Sequence, residues 1–203
     1  GRLIYVGLGP VEKRAGICAW ESTDKGDTWE KVGEIPCSKE TPEEMEMGEN
    51  HLVETSPGHL LVLFRTGTGD WDNQFLHQSH SYDAGRTWSE AERLPVWGYP
   101  PHLTVLSSGA ILCTYGHRNV PLTVRAMLSY DEGQTWDYEN FITLYELSAS
   151  HDFGYPVSVE PAPGDILTVY YLNKKYVLVN GKYFHLPYAE DAGGTMSVRW
   201  TLQ

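Results

Sequence analysis

The sequence has little of what several common functions require. Only 15 lysines and arginines stand against 27 acids, a formal charge of −12 over 203 residues. Without a clustered basic run the chain is a poor fit to a phosphate backbone, which argues against nucleic-acid binding. Long hydrophobic runs are missing, and a stretch such as Leu60 to Phe64 is far short of a membrane span. Cysteine is scarce: Cys18, Cys37 and Cys113 are too few and too scattered for a disulfide scaffold or a zinc site. At most one pair can bridge, so the redox compartment stays open. His51 and His102 belong to no His-Glu-x-x-His or equivalent cluster, so packing or hydrogen bonding is expected of them, with no metal and no cofactor.

Glycine, tyrosine and tryptophan are abundant, at 20, 13 and 7, while only 21% of residues are charged. That mixture favours a β-rich globular domain over a helical bundle or a disordered segment. An octapeptide then recurs three times: Ser22-Thr-Asp24-Lys-Gly26-Asp-Thr28-Trp29, Ser81-Tyr-Asp83-Ala-Gly85-Arg-Thr87-Trp88 and Ser129-Tyr-Asp131-Glu-Gly133-Gln-Thr135-Trp136. Its chemistry is that of a hairpin turn. The Asp accepts bonds from backbone N–H groups about two residues on, the Gly takes a positive φ, and Ser and Thr add side-chain bonds. The Trp is expected to open the returning strand and pack in the core.

A weaker repeat runs in phase with the first. Gly58, Gly109 and Gly164 each separate two strand-like stretches: His51–Glu54 from Leu60–Phe64, His102–Leu106 from Ile111–Tyr115, and Val157–Glu160 from Ile166–Tyr171. Gly1 fits the same slot ahead of Leu3–Val6. Each unit reads strand, turn, strand, loop, strand, Asp-turn, strand, which is the pattern of a propeller blade. Between units, Thr41-Pro42-Glu43-Glu44 reads either as a capped short helix or as an acidic surface loop. Asn180-Gly181 signals a two-residue hairpin projecting from the last unit.

Ser-x-Asp-x-Gly-x-Thr-Trp resembles the Asp-box, or BNR repeat, of the sialidase superfamily. The resemblance implies an all-β fold, a six-bladed sialidase-type β-propeller of four-stranded antiparallel blades joined by Asp-box turns. Spacing gives about four of those blades, over residues 1–37, 48–97, 98–147 and 152–203 of one partial propeller domain. The expectation is a portion of a longer ring, closed by missing blades or by a second copy, because an open propeller leaves sheet edges exposed. The Asp-box marks architecture, so Asp24, Asp83 and Asp131 are expected to be structural.

Phasing singles out other residues for chemistry. Nine residues before the marker glycine stand Glu49, Pro100 and Tyr155, at starts of inner strands, where propellers form ligand sites. Arg65 ends an apolar strand, where a charge calls for a cavity with an anionic partner. Glu49-Asn50-His-Leu-Val-Glu54 resembles the sialidase segment whose first Glu is catalytic. Arg65 and Arg125 are similar in placement to the second and third arginines of the family's substrate triad, with Arg118 a rival on the same rim. Gly154-Tyr155 resembles the segment of the nucleophilic tyrosine.

Physical chemistry supports this set independently. Sialic acids carry a carboxylate at the anomeric carbon. Guanidinium forks bind a carboxylate bidentately. A carboxylate nucleophile would be repelled by that substrate charge, whereas a phenol is not, provided a base such as Glu49 takes its proton. The expected activity is a retaining exo-glycosidase acting on sialic acid or another acidic sugar, incomplete and inactive in this piece alone. The alternative is a propeller that binds glycan or protein without catalysis. The family's first arginine and its acid/base aspartate have no counterpart here, nothing maps Asp70 or Asp72 onto that position, and Pro156 stands where sialidases usually have a small hydroxyl residue. The resemblance leans towards a secreted or periplasmic setting; the residues themselves do not fix one.

Overall fold

The computed structural model describes residues 1–11, 14–37, 46–67, 69–146, 148, 150–173, 176–179, 182–185 and 193–202. The chain divides into two compact units, Gly1–Trp97 and Gly98–Gln203. In the first, β1 (Leu3–Val11), β2 (Arg14–Ser22) and β3 (Glu30–Glu34) form one antiparallel sheet. Strands β4 (Glu46–Ser56), β5 (His59–Gly67), β6 (Phe75–Ser81) and β7 (Glu92–Trp97) form a second, four-stranded meander. A 3-10 turn, Trp71–Asn73, sits in the β5–β6 connection. Leu60 to Phe64 of β5 is buried throughout. Leu60, Val62 and Phe64 share one core with Val6, Ile17 and Ala19 of the neighbouring sheet. A strand covered on both faces has no reason to alternate, which is why this segment reads as a continuous apolar run.

In the second unit, β8 (Pro101–Val105), β9 (Ile111–His117), β10 (Thr123–Ser129) and β11 (Ile142–Glu146) form another four-stranded meander. Strands β12 (Phe153–Ala162) and β13 (Asp165–Asn173) are followed by the hairpin β14 (Tyr176–Val179) and β15 (Lys182–His185). Strand β16 (Gly193–Thr201) then returns to pair with β13. Along β13 burial alternates, with Ile166, Thr168, Tyr170 and Leu172 inward, the period-two signature of a strand packed on one face. The buried Thr168 hydroxyl meets Ser158 Oγ at 2.9 Å and accepts from Trp200 Nε1 at 3.0 Å, so it is satisfied inside the core. The Asn180-Gly181 turn and the Thr41–Glu44 segment lie outside the described residues. None of Cys18, Cys37 and Cys113 is in a disulfide, and burial pushes the Cys113 thiol up.

The Asp-box turns share one bonding scheme. In the second, Ser81 Oγ donates to Asp83 Oδ1 (2.9 Å) and accepts from Gly85 N–H (2.8 Å). Thr87 donates its N–H to Asp83 Oδ1 (2.8 Å) and its hydroxyl to Oδ2 (2.6 Å). Asp24 and Asp131 accept the corresponding pairs from Thr28 and Thr135. The carboxylate therefore reaches the N–H four residues on, not two, because both oxygens close on the same Thr. These bonds, led by the Thr87 hydroxyl, hold Asp83 down at about 2. Asp24 is lowered in the same way by Thr28. Trp88 and Trp136 are buried, but Trp29 is 43% exposed and meets Tyr5 edge-on at 6.2 Å. No Asp-box Trp lies within a strand, so the expected core role holds for two of the three. Trp88 is covered by Gly33 of β3.

Candidate active site

Five non-glycine residues among those described have positive φ. Lys25, Ala84 and Glu132 occupy the same position in the three Asp-boxes. The remaining two are Glu49 (φ 39°) and Tyr155 (φ 48°). Both sit in β-bulges at the same register: Gly48 pairs with Arg65 and Gly154 with Tyr171 before the ladder shifts. A left-handed backbone costs a non-glycine residue roughly 1 kcal/mol or more, and such strain persists where the surrounding structure over-determines it. The bulge also re-aims the extra side chain out of the ladder.

In the first unit, the bulge brings Glu49 to the end of β5. Arg65 Nη1 donates to Glu49 Oε2 at 2.7 Å, with both side chains 32% exposed. At that exposure an ion pair contributes about 1 kcal/mol at most, so its main effect is to orient the two groups. Asn50, next in the chain, anchors β4 by donating to the Val6 carbonyl at 2.7 Å. Beyond Arg65, Asp70 caps the 3-10 turn, accepting from Asp72 N–H (3.1 Å) and Asn73 Nδ2 (2.6 Å). Trp97 Nε1 donates to the Trp71 carbonyl at 2.9 Å, and the two indoles lie 5.3 Å apart.

In the second unit, Tyr155 is 43% exposed and its ring lies 5.8 Å from that of Tyr171. The Arg118 guanidinium is 5.7 Å from the Tyr155 ring, 5.0 Å from Tyr99 and 6.0 Å from Phe153. This gathering depends on Gly116: a Cβ there would lie 2.9 Å from the Tyr99 carbonyl and 3.5 Å from Gly154 Cα. With none, β9 and the start of β12 approach closely enough to bring Arg118 to Tyr155. Arg125 is placed differently. Its Nε donates to Thr123 Oγ1 at 2.8 Å and its guanidinium stacks on Phe141 at 3.9 Å. Burial lowers its pKa, opposed by the neighbouring Tyr115. Of the two rival arginines, Arg118 is the one in contact with Tyr155.

Two residues that the sequence did not single out complete this cluster. The Tyr171 hydroxyl donates to Asp152 Oδ1 in a short bond, and Asn173 Nδ2 donates to Asp152 Oδ2 at 2.6 Å. Burial, reinforced by Asp152, pushes Tyr171 up to about 12. Tyr171 stands seven residues after Gly164, as Arg65 does after Gly58, and that phase was the available signal. His151 is lowered by burial and then by the Arg118 charge. Among the described residues no three His, Cys, Asp or Glu side chains gather as a metal site, and no helix is long and apolar enough to cross a membrane.

No curated protein matches the chain. Among solved structures it is similar to a protein of unknown function from Dyadobacter fermentans, with 24% identity, TM-score 0.72, and 97% of this chain covering 50% of that one. It is also similar to the Hadza microbial sialidase Hz136, at 18% identity and TM-score 0.63, covering 92% of this chain and 44% of that one. The α-L-arabinofuranosidase Arb93A from Fusarium graminearum gives 16% identity and TM-score 0.58, covering 85% and 56%. At these identities the likeness shows the fold, which is the all-β, sialidase-type propeller with antiparallel sheets as blades. The chain spans about half the length of these structures. The model of the BNR repeat-like domain matches residues 10–167, well over half of the sequence. With its three Asp-box turns each closed by the same hydrogen bonds, the chain belongs to the BNR repeat-like domain family.

Proposed function

We propose that the protein is a sialidase-like exo-glycoside hydrolase acting on a glycoside of sialic acid or another acidic sugar. The observation that carries this reading is the pair of strained bulges, which present Glu49 and Tyr155 from equivalent registers of two sheets. Strain shared by two non-glycine residues outside the Asp-boxes marks positions held for something other than stability. The fold likeness to a sialidase and to an arabinofuranosidase supports glycoside hydrolysis as the reaction class. The half-exposed arginines support an anionic sugar, since a guanidinium fork matches a carboxylate.

In this scheme the Tyr155 oxygen bonds to the anomeric carbon as the bond to the leaving oxygen breaks. Taking the phenol proton is the role that the family resemblance gives Glu49; Arg118, beside Tyr155, binds the substrate carboxylate. Arg118 takes that role ahead of Arg125, whose guanidinium is already stacked on Phe141. The leaving oxygen takes its proton from an acid that none of these residues supplies. Water then attacks the anomeric carbon as its bond to the Tyr155 oxygen breaks; the water proton passes to the conjugate base of that acid, and the Tyr155 oxygen regains the proton it gave up, with retention of configuration.

The test is to react the full protein with a 3-fluoro-sialyl fluoride and digest it for mass spectrometry. An adduct on the peptide containing Tyr155 is expected. An adduct elsewhere, or product of inverted configuration from an umbelliferyl sialoside, would refute the scheme. Glycan binding with no turnover would point to the non-catalytic propeller instead.

A further inference from the structure

We infer that Asp152 and Tyr171 are positioning residues that hold Arg118 beside Tyr155 through the Tyr171 hydroxyl, leaving the other guanidinium donors for an anionic group on the ligand. The nature of that ligand rests on the function proposed above; the positioning rests on geometry alone. Asp152 is itself fixed. Asn173 donates to it from both backbone and side chain, N–H to carbonyl at 3.0 Å and Nδ2 to Oδ2 at 2.6 Å. Its other oxygen accepts the Tyr171 proton. With that proton committed, the phenol oxygen presents a lone pair, and Arg118 Nη2 approaches it at 3.5 Å, the outer limit of a hydrogen bond.

Arg118 Nε is buried and makes no hydrogen bond among the described residues. Aromatic rings of Tyr99, Phe153 and Tyr155 form its walls. Among the described residues, the Tyr171 hydroxyl is therefore the polar contact that sets where this guanidinium sits. The register explains how the two arrangements diverged. Arg65 and Tyr171 hold the same position opposite the residue that precedes the bulge. In the first unit that position supplies the arginine, which pairs directly with a carboxylate at 2.7 Å. In the second it supplies a phenol, interposed between Asp152 and an arginine from the neighbouring sheet. A direct fork would consume two guanidinium donors and cancel most of its charge. An interposed hydroxyl orients the group and leaves the charge available.

The test uses the ¹⁵N-labelled full chain, with the Arg118 Nε–H signal assigned by its loss in Arg118→Lys. Tyr171→Phe and Asp152→Ala should shift that signal and speed its exchange with water at least about fivefold. Asp152→Asn, which keeps the shape and the acceptor, should restore slow exchange. In parallel, N-acetylneuraminate and the carboxylate-free N-acetylmannosamine are titrated. Tyr171→Phe should weaken the acidic sugar roughly five- to tenfold and leave the neutral one unchanged. Unaltered thermal unfolding of Asp152→Asn provides the folding control. If Arg118→Lys weakens N-acetylneuraminate while Tyr171→Phe and Asp152→Ala change neither exchange nor affinity, the positioning role is overturned and the acidic-sugar reading stands. If neither sugar binds but exchange quickens as expected, the ligand reading fails and the positioning role stands.

Discussion

The Asp-box turns and the inner-strand bulges repeat in different ways. At the turns the chain repeats side chains as well as backbone: a serine hydroxyl, a carboxylate with both oxygens committed, and a threonine that closes the ring. At the bulges it repeats only the backbone. Glu49 and Tyr155 share a register and a left-handed conformation, yet one is an acid and the other a phenol. Where a repeat retains the same side-chain chemistry, that chemistry builds the turn. Where it retains the strain and varies the side chain, the position is available for chemistry on a ligand.

This contrast breaks if variants at the two places behave alike. The largest effect is expected at Tyr155: Tyr155→Phe should lower kcat by roughly 10⁴, about 5.5 kcal/mol of lost transition-state stabilisation. Next comes Trp88→Ala, which empties a buried site and should cost about 3–5 kcal/mol in denaturant unfolding. The same change at the half-exposed Trp29 should cost under about 1 kcal/mol. Equal losses would mean that exposure does not distinguish the two turns. Glu49→Gln retains the shape of the bulge and should lower kcat by about 10²–10³ with little change in stability.

The smallest effect belongs to the turn carboxylate. Asp83→Ala removes bonds to Thr87 and Ser81 and should destabilise by about 1–2 kcal/mol at neutral pH. The sign with pH follows from its folded value of about 2, below the ordinary aspartate value of 3.8. The stabilisation is present above about pH 4 and is lost as pH falls through about 2. Melting curves of wild type and variant should therefore converge on acidification. A gap that persists at pH 2 would remove the carboxylate from the explanation.

Much of this architecture was legible in the sequence because the Asp-box is local. Eight consecutive residues carry the Ser, Asp, Gly and Thr groups that close the turn. The strands flanking Gly58, Gly109 and Gly164 were legible for the same reason, although β4 and β12 run well beyond the stretches expected of them. What depended on packing was harder to read. The spacing could not choose between Arg118 and Arg125, because the choice turns on Gly116 admitting β12 and on Phe141 capturing Arg125. Trp29 shares its motif with Trp88, but the coverage supplied by Gly33 lies in another strand. Asp152 and Tyr171 were missed because neither belongs to a motif. Their one signal was phase: Tyr171 follows Gly164 at the spacing by which Arg65 follows Gly58, and the register places the two alike.

The division between turn and bulge is tested most directly by measuring kcat and the unfolding midpoint of Tyr155→Phe together on the full protein. Turnover should fall by orders of magnitude with a midpoint within a degree or two of wild type, since only an oxygen on a half-exposed ring is removed. Turnover within tenfold of wild type, or a midpoint that falls as steeply as the activity, would contradict it.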